Sequence, residues 1–240
     1  MVVNTYYKFI FVHVPKNGGR SVKRSLATIR GNRKHWMAVS NHETLGGFYD
    51  NFKTRATWRD KIFRRNPSSQ YFRFAFVRNP WDRMSSLYHF LTERRARDEV
   101  HAVRSFKHFL QQMQEGAPWI SNLHSTRSQL EYLTLEDNRV CLDYLGHFEF
   151  FEDDFAAISK AFGCPLTLSH INRSVNSQVD YRTRYDAEMI EIVASRFAEE
   201  IDRFGYVFEQ SSPRRRFSGP INYVRDWGVR TRQGDVDKVA

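Results

Sequence analysis

Residues 11–21 read FVHVPKNGGRS: an apolar run, a lysine, two adjacent glycines and a serine. A nucleotide-binding P-loop places its lysine after the glycines, as GK followed by Ser or Thr, whereas here Lys16 precedes Gly18 and Gly19. Upstream, Tyr7 to Val14 is apolar on both alternating faces apart from Lys8 and His13, as in a central parallel strand covered by helices. His13 reads as a core histidine of that strand. Downstream, Val22, Leu26 and Ile29 recur at helical spacing until Gly31, so the loop opens a helix. Main-chain N–H groups from Asn17 to Arg20, freed by the two glycines, can form a concave anion nest at that helix start, with Lys16 and the Ser21 hydroxyl beside it. An ordinary tight turn with a solvated Lys16 uses the same residues, and the loop alone does not choose.

The pattern returns in YFRFAFVRNPWDRMSSLYHFL, residues 71–91. Phe72 to Val77 reads as a second buried strand, and Asn79 with Pro80 supplies an N-cap and a first helical residue. Arg78 therefore sits at the carboxyl end of a strand, beside a helix N-terminus, with Ser85 and Ser86 two turns further on. Either Arg78 faces an anion, or it pairs with Asp82 at the helix start. A third unit follows: a strand near Leu142 to Phe148, then a helix carrying Phe151, Phe155, Ile158 and Phe162 and stopped by Gly163 and Pro165. In residues 186–205 Asp186 caps a helix whose stripe is Ile190, Val193, Phe197, Ile201 and Phe204, and Gly205 ends it. Alternating strands and helices predict an α/β single domain with a central parallel β-sheet flanked by helices, and ligands at the carboxyl ends of its strands. The domain is expected over residues 1–208, with a polar helical insertion at about 91–128 over one edge of the sheet and a basic tail at 209–240.

A chain of 240 residues suits one such domain. Lys plus Arg outnumber Asp plus Glu by 37 to 27, a net charge of +10, which favours an anionic partner: nucleotide, nucleic acid, acidic glycan or membrane surface. The two cysteines, Cys141 and Cys164, offer neither a metal-binding spacing nor a disulfide framework. With no apolar run near a membrane span and no leader pattern, a cytoplasmic setting is expected.

PKNGGRS followed about sixty residues later by FAFVRNPWDRMSSLY resembles the two signature segments of the sulfotransferases. YLGHFEFFEDDFAAISKAFG, LSHINRS and VASRFAEEIDRFGYVF extend the resemblance over residues 8–208, toward the carbohydrate-type branch with bacterial members and Golgi glycan sulfotransferases. The resemblance implies a P-loop-kinase-like sulfotransferase fold and a sulfuryl donor, 3′-phosphoadenosine 5′-phosphosulfate (PAPS), used without a metal. It assigns Pro15, Lys16, Asn17, Gly18, Gly19, Arg20 and Ser21 to the 5′-phosphosulfate, Arg78 and Ser86 to the 3′-phosphate, and Arg173 to a loop closing over the nucleotide. Lys16 would also neutralise charge on the leaving oxygen. Arg20 either touches the sulfate or faces solvent. His42 is the expected base toward a hydroxyl-bearing acceptor, a carbohydrate or glycolipid, with the adjacent Glu43 as the alternative. Lys53, Arg55, Arg59, Lys61, Arg64 and Arg65 either line an acidic acceptor groove or form a solvated face. Two rival readings remain: a nucleotide kinase, which needs magnesium and transfers phosphate, and a basic nucleic-acid-binding module, which does not explain two anion motifs at strand ends. On the sulfotransferase reading nucleic acid is not a partner.

Overall fold

The computed structural model describes residues 1–29, 36–38, 42–54, 71–94, 103–134, 140, 142–169 and 179–213. Its strands are β1 (Val2–Asn4), β2 (Phe9–Val12), β3 (Trp36–Ala38), β4 (Phe72–Val77) and β5 (Tyr144–His147), in the spatial order β3-β1-β2-β4-β5. The helices, in chain order, are α1 (Gly19–Ala27), α2 (Leu45–Thr54), α3 (Pro80–Arg94), α4 (Phe106–Gln114), α5 (Pro118–Ser121), α6 (Leu130–Leu133), α7 (Phe151–Ala161), α8 (Ala187–Arg196) and α9 (Ala198–Phe204).

β4 pairs in parallel with β2 on one side and β5 on the other. β1 pairs antiparallel with both β2 and β3, so it alone runs against the rest. The sequence reading lacks this strand. Three residues are too few to show an alternating pattern, and the turn that folds them back is made by one side chain: Asn4 Oδ1 accepts from the N–H groups of Tyr6 (3.0 Å) and Tyr7 (2.9 Å).

Period-two alternation sends opposite residues of each strand to opposite layers. Phe9 and Phe11 of β2, Phe74 and Phe76 of β4 and Tyr144 of β5 pack with Val22 and Leu26 of α1 and Phe155 and Ile158 of α7. Ile10, Val12, Ala75, Val77 and Leu145 face the other way, with Met84, Leu87 and Leu91 of α3 and Ile192 and Val193 of α8. Phe109, Leu110 and Met113 of α4 join this second layer, so the segment expected as a polar insertion has an apolar face in the core. Asp186 caps α8 by accepting from Met189 N–H, and the expected long helix divides at Phe197 before Gly205, at φ 70°, closes α9. Asn79 caps α3 through Trp81 N–H (3.1 Å) and donates through Nδ2 to the carbonyls of Val207 (3.3 Å) and Gln210 (3.1 Å). Those bonds tie the chain after α9 back to the end of β4.

Gly146 of β5 stands opposite Phe76, and a Cβ there would lie 2.4 Å from Cε1 of the Phe76 ring. The ring is buried and packed edge-on against Phe151 at 4.9 Å. Gly146→Ala is expected to destabilise the fold by about 1–3 kcal/mol, read as a lower denaturation midpoint with an unchanged slope. An unchanged midpoint would show that this contact is not tight.

Candidate active site

β2 stops at Val12, and the chain crosses to α1 through a loop in which Lys16 (φ 70°) and Gly18 (φ 74°) both adopt left-handed conformations. A non-glycine residue in that region is strained, so Lys16 is held there by its surroundings. Gly18 is the N-cap of α1 but offers no side-chain oxygen, and the first turn carries no acid. The first N–H groups of a nine-residue helix are therefore left without a capping side chain. Pro15 and Ser21 are buried at this bend, Lys16 is half-buried, and Arg20 is exposed on the solvent side. Neither glycine tolerates a side chain: a Cβ on Gly19 would lie 1.9 Å from Cδ2 of His13, and one on Gly18 2.4 Å from Cζ of Phe151.

Asn17 is turned inward. Its Nδ2 donates to the Phe76 carbonyl (2.7 Å) and to Gln129 Oε1 (2.6 Å), so its side-chain amide anchors the loop to the end of β4. Arg78, leaving β4 beside it, donates from Nη1 to the Lys16 carbonyl (3.1 Å) and from Nε to Asp82 Oδ2 (2.7 Å), with its guanidinium 4.2 Å from the centre of the Phe148 ring. The helix-start ion pair with Asp82 is formed, and the same guanidinium also reaches the Lys16 loop. Among the described residues nothing accepts from its Nη2. Asp82, Ser86 and Phe90 follow one another at four-residue spacing along α3, Ser86 is half-buried, and Lys16 Nζ lies 4.2 Å from the centre of the Phe90 ring. The loop and this face of α3 therefore share one cleft.

His42 enters the same region. Its ring stands 5.4 Å from that of His13 and 5.8 Å from that of His124, measured between centroids. His13 is not the core histidine that the sequence reading expects: β2 ends one residue before it, leaving it half-buried with its ring against Gly19. His124 carried no sequence signal, since it lies about eighty residues from its neighbour in the row. Glu43 lies within electrostatic range of the Met1 amino group, whose pKa is lowered to about 5 chiefly by burial and then by Lys23. Arg173 lies outside the described residues, as do residues 55–65 of the basic stretch and residues 214–240 of the tail. Among the described residues no group of His, Cys, Asp or Glu is arranged to hold a metal ion, and no helix is long and apolar enough to cross a membrane.

Glu149, which sequence reasoning missed, faces the start of α3. Its Oε1 accepts from Asn79 N–H (2.7 Å) and its Oε2 from the Tyr206 hydroxyl (3.0 Å). Burial pushes its carboxyl up to about 7, against the pull of those donors and of Arg78. A carboxyl whose folded pKa exceeds its unfolded value holds its proton more tightly in the native state. Its contribution is therefore full at acid pH and is lost as pH rises toward 7. The Met1 amine, with its pKa lowered from 8.0 to about 5, gives the opposite slope over pH 5–8, so the informative quantity is a difference between proteins. Relative to wild type, Glu149→Gln is expected to gain roughly 1–3 kcal/mol of unfolding free energy between pH 5 and pH 8 in chemical denaturation. A constant difference across that range would mean that Glu149 does not titrate there.

The loop after β2 and the end of β4 thus stand side by side at one edge of the sheet, joined through the Arg78 guanidinium. The model of the Sulfotransferase family matches residues 1–207. Neither the curated proteins nor the solved structures include a match to the chain. With a match spanning everything from β1 to the end of α9, the chain belongs to the sulfotransferase family.

Proposed function

We propose that the protein transfers a sulfuryl group from PAPS to a hydroxyl of a carbohydrate or glycolipid acceptor. The observation that carries this reading is the bond from Arg78 Nη1 to the Lys16 carbonyl, because it sets an arginine and an uncapped helix start against each other across one cleft. A nucleotide bearing phosphates at both its 3′ and 5′ positions can engage both. The residues fit that donor: the N–H groups at the start of α1 lack a cap, Lys16 lies beside them, and Arg78 keeps donors at Nη2. An arginine fork suits a terminal phosphate, since it can donate two parallel hydrogen bonds.

During sulfuryl transfer the acceptor oxygen bonds to sulfur as the bond from sulfur to the nucleotide's phosphate oxygen breaks. Negative charge collects on that oxygen, and the acceptor's proton must leave. Lys16 and the helix start would stabilise that charge. His42 is the nearer choice for the proton: its ring contacts His13, which lies against Gly19, whereas Glu43 is engaged electrostatically with Met1. The carbohydrate assignment of the acceptor rests on the resemblance of the later segments, and the net charge of +10 favours an acidic acceptor.

Adenosine 3′,5′-bisphosphate, the nucleotide left after transfer, is expected to protect the protein against heat in the presence of EDTA. At 100 times its dissociation constant it should add about 2.7 kcal/mol, or roughly 5–10 °C for a chain of this size, while ATP protects weakly. Equal protection by ATP, or a requirement for magnesium, would favour the kinase reading. Incubation with sulfur-35-labelled PAPS and a panel of glycans, glycolipids and small alcohols should then yield labelled acceptor. In that assay His42→Ala is expected to lower turnover about a hundredfold with nucleotide affinity unchanged, and Glu43→Gln to leave turnover near wild type. The reverse pattern would transfer the base to Glu43.

A further inference from the structure

Gln129 belongs to neither anion-binding segment, yet its side chain touches both. It is fully buried, just before α6, and its amide makes four hydrogen bonds. Oε1 accepts from Asn17 Nδ2 at 2.6 Å and from Arg78 N–H at 3.0 Å. Nε2 donates to the Arg78 carbonyl at 2.8 Å and to Glu200 Oε1 at 3.1 Å. Two donors and one doubly accepting oxygen are all that a glutamine side chain offers, and each is used.

The base of this bridge is itself anchored. Glu200, buried in α9, accepts from the Gln129 main-chain N–H and from Ser128 Oγ (2.7 Å), and stands 3.9 Å from the guanidinium of the buried Arg83 of α3. Arg83 donates in turn to the Arg127 carbonyl (2.7 Å). Residue type matters at position 129. A carboxylate could not donate to the Arg78 carbonyl and would face Glu200, and an aliphatic side chain would leave buried N–H and C=O groups without partners.

We infer that Gln129 is a positioning residue that fixes the Lys16 loop and the Arg78 strand end at one separation, so that a nucleotide with two phosphate-bearing ends binds both at once. This rests on the function proposed above. Its content is energetic: when both sites are preset, the second phosphate binds as an intramolecular event, and the bisphosphate outbinds either monophosphate. When the bridge is cut, each site still takes its own phosphate, but the joint advantage falls.

The test is calorimetric titration of wild type, Gln129→Leu, Asn17→Ala and the double variant with adenosine 3′,5′-bisphosphate, adenosine 5′-monophosphate and adenosine 3′-monophosphate. Wild type should bind the bisphosphate about a hundredfold tighter than either monophosphate. Each single variant should lose about tenfold or more of that advantage, and Gln129→Leu should keep its monophosphate affinities within about twofold of wild type. The double variant should lose little beyond the worse single one, because both cut the same bridge. Asn17→Ala removes the bonds to the Phe76 carbonyl and to Gln129 and leaves Gln129 its other three, so it decides the matter should Gln129→Leu fail to fold. A wild-type advantage retained in Asn17→Ala overturns the inference. So does an equal loss for all three nucleotides, which would mark a purely structural role. No bisphosphate advantage in wild type would instead overturn the proposed function, and the inference with it.

Discussion

Parallel pairing of Phe9–Val12 with Phe72–Val77 is the constraint on which the rest of the site depends. Adjacent parallel strands end at the same edge of the sheet, so the loops that follow them, and the helices those loops open, emerge side by side. Without that pairing the Lys16 loop and Arg78 would be unrelated surface features. With it, the Arg78 guanidinium reaches the Lys16 carbonyl, and Asn17 reaches the Phe76 carbonyl near the end of the neighbouring strand. Two separate pieces of sequence become one cleft through backbone geometry, and a few polar side chains then fix its width.

Charge at the two strand ends is compensated within the fold. A buried arginine and a helix start without a capping side chain are costly if left uncompensated. The chain supplies Asp82 for the Arg78 Nε and Glu149 for the Asn79 N–H. The protein has a net charge of +10, yet the cations that matter are distinguished by their partners rather than their number. Arg20, on the same loop as Lys16, is exposed, whereas Lys16 is held by a strained backbone and an aromatic face.

Much of this was legible in the sequence because it obeys local periodicities. The β4 strand and the α3 cap at Asn79 follow from the apolar run at Phe72 to Val77 and from the Asn-Pro pair, and Asp186 and Gly205 bound the last helical segment as their residue types require. Spacing also exposed the Arg78 and Asp82 pair, though not that Arg78 serves two partners. β1 escaped because three residues carry no period and its turn depends on one asparagine. His13 was misplaced because an apolar run does not reveal which residue ends a strand. Gln129 and Glu149 had no signal at all. Their importance comes from contacts across 51 to 112 positions for Gln129 and 57 to 70 for Glu149, and no local pattern encodes such contacts.

The central claim is that one nucleotide lies across the two strand ends, with its 5′ end on the loop before α1 and its 3′-phosphate on Arg78. The most direct measurement is a crystal structure of the complex with adenosine 3′,5′-bisphosphate, grown in EDTA. The account predicts the 5′-phosphate within hydrogen-bond distance of the main-chain N–H groups of Gly18 to Arg20 and of Lys16 Nζ, with the 3′-phosphate on the Arg78 guanidinium and the Ser86 hydroxyl. A nucleotide bound in the reverse sense, or bound elsewhere while Arg78 keeps only Asp82 and the Lys16 carbonyl, would contradict it.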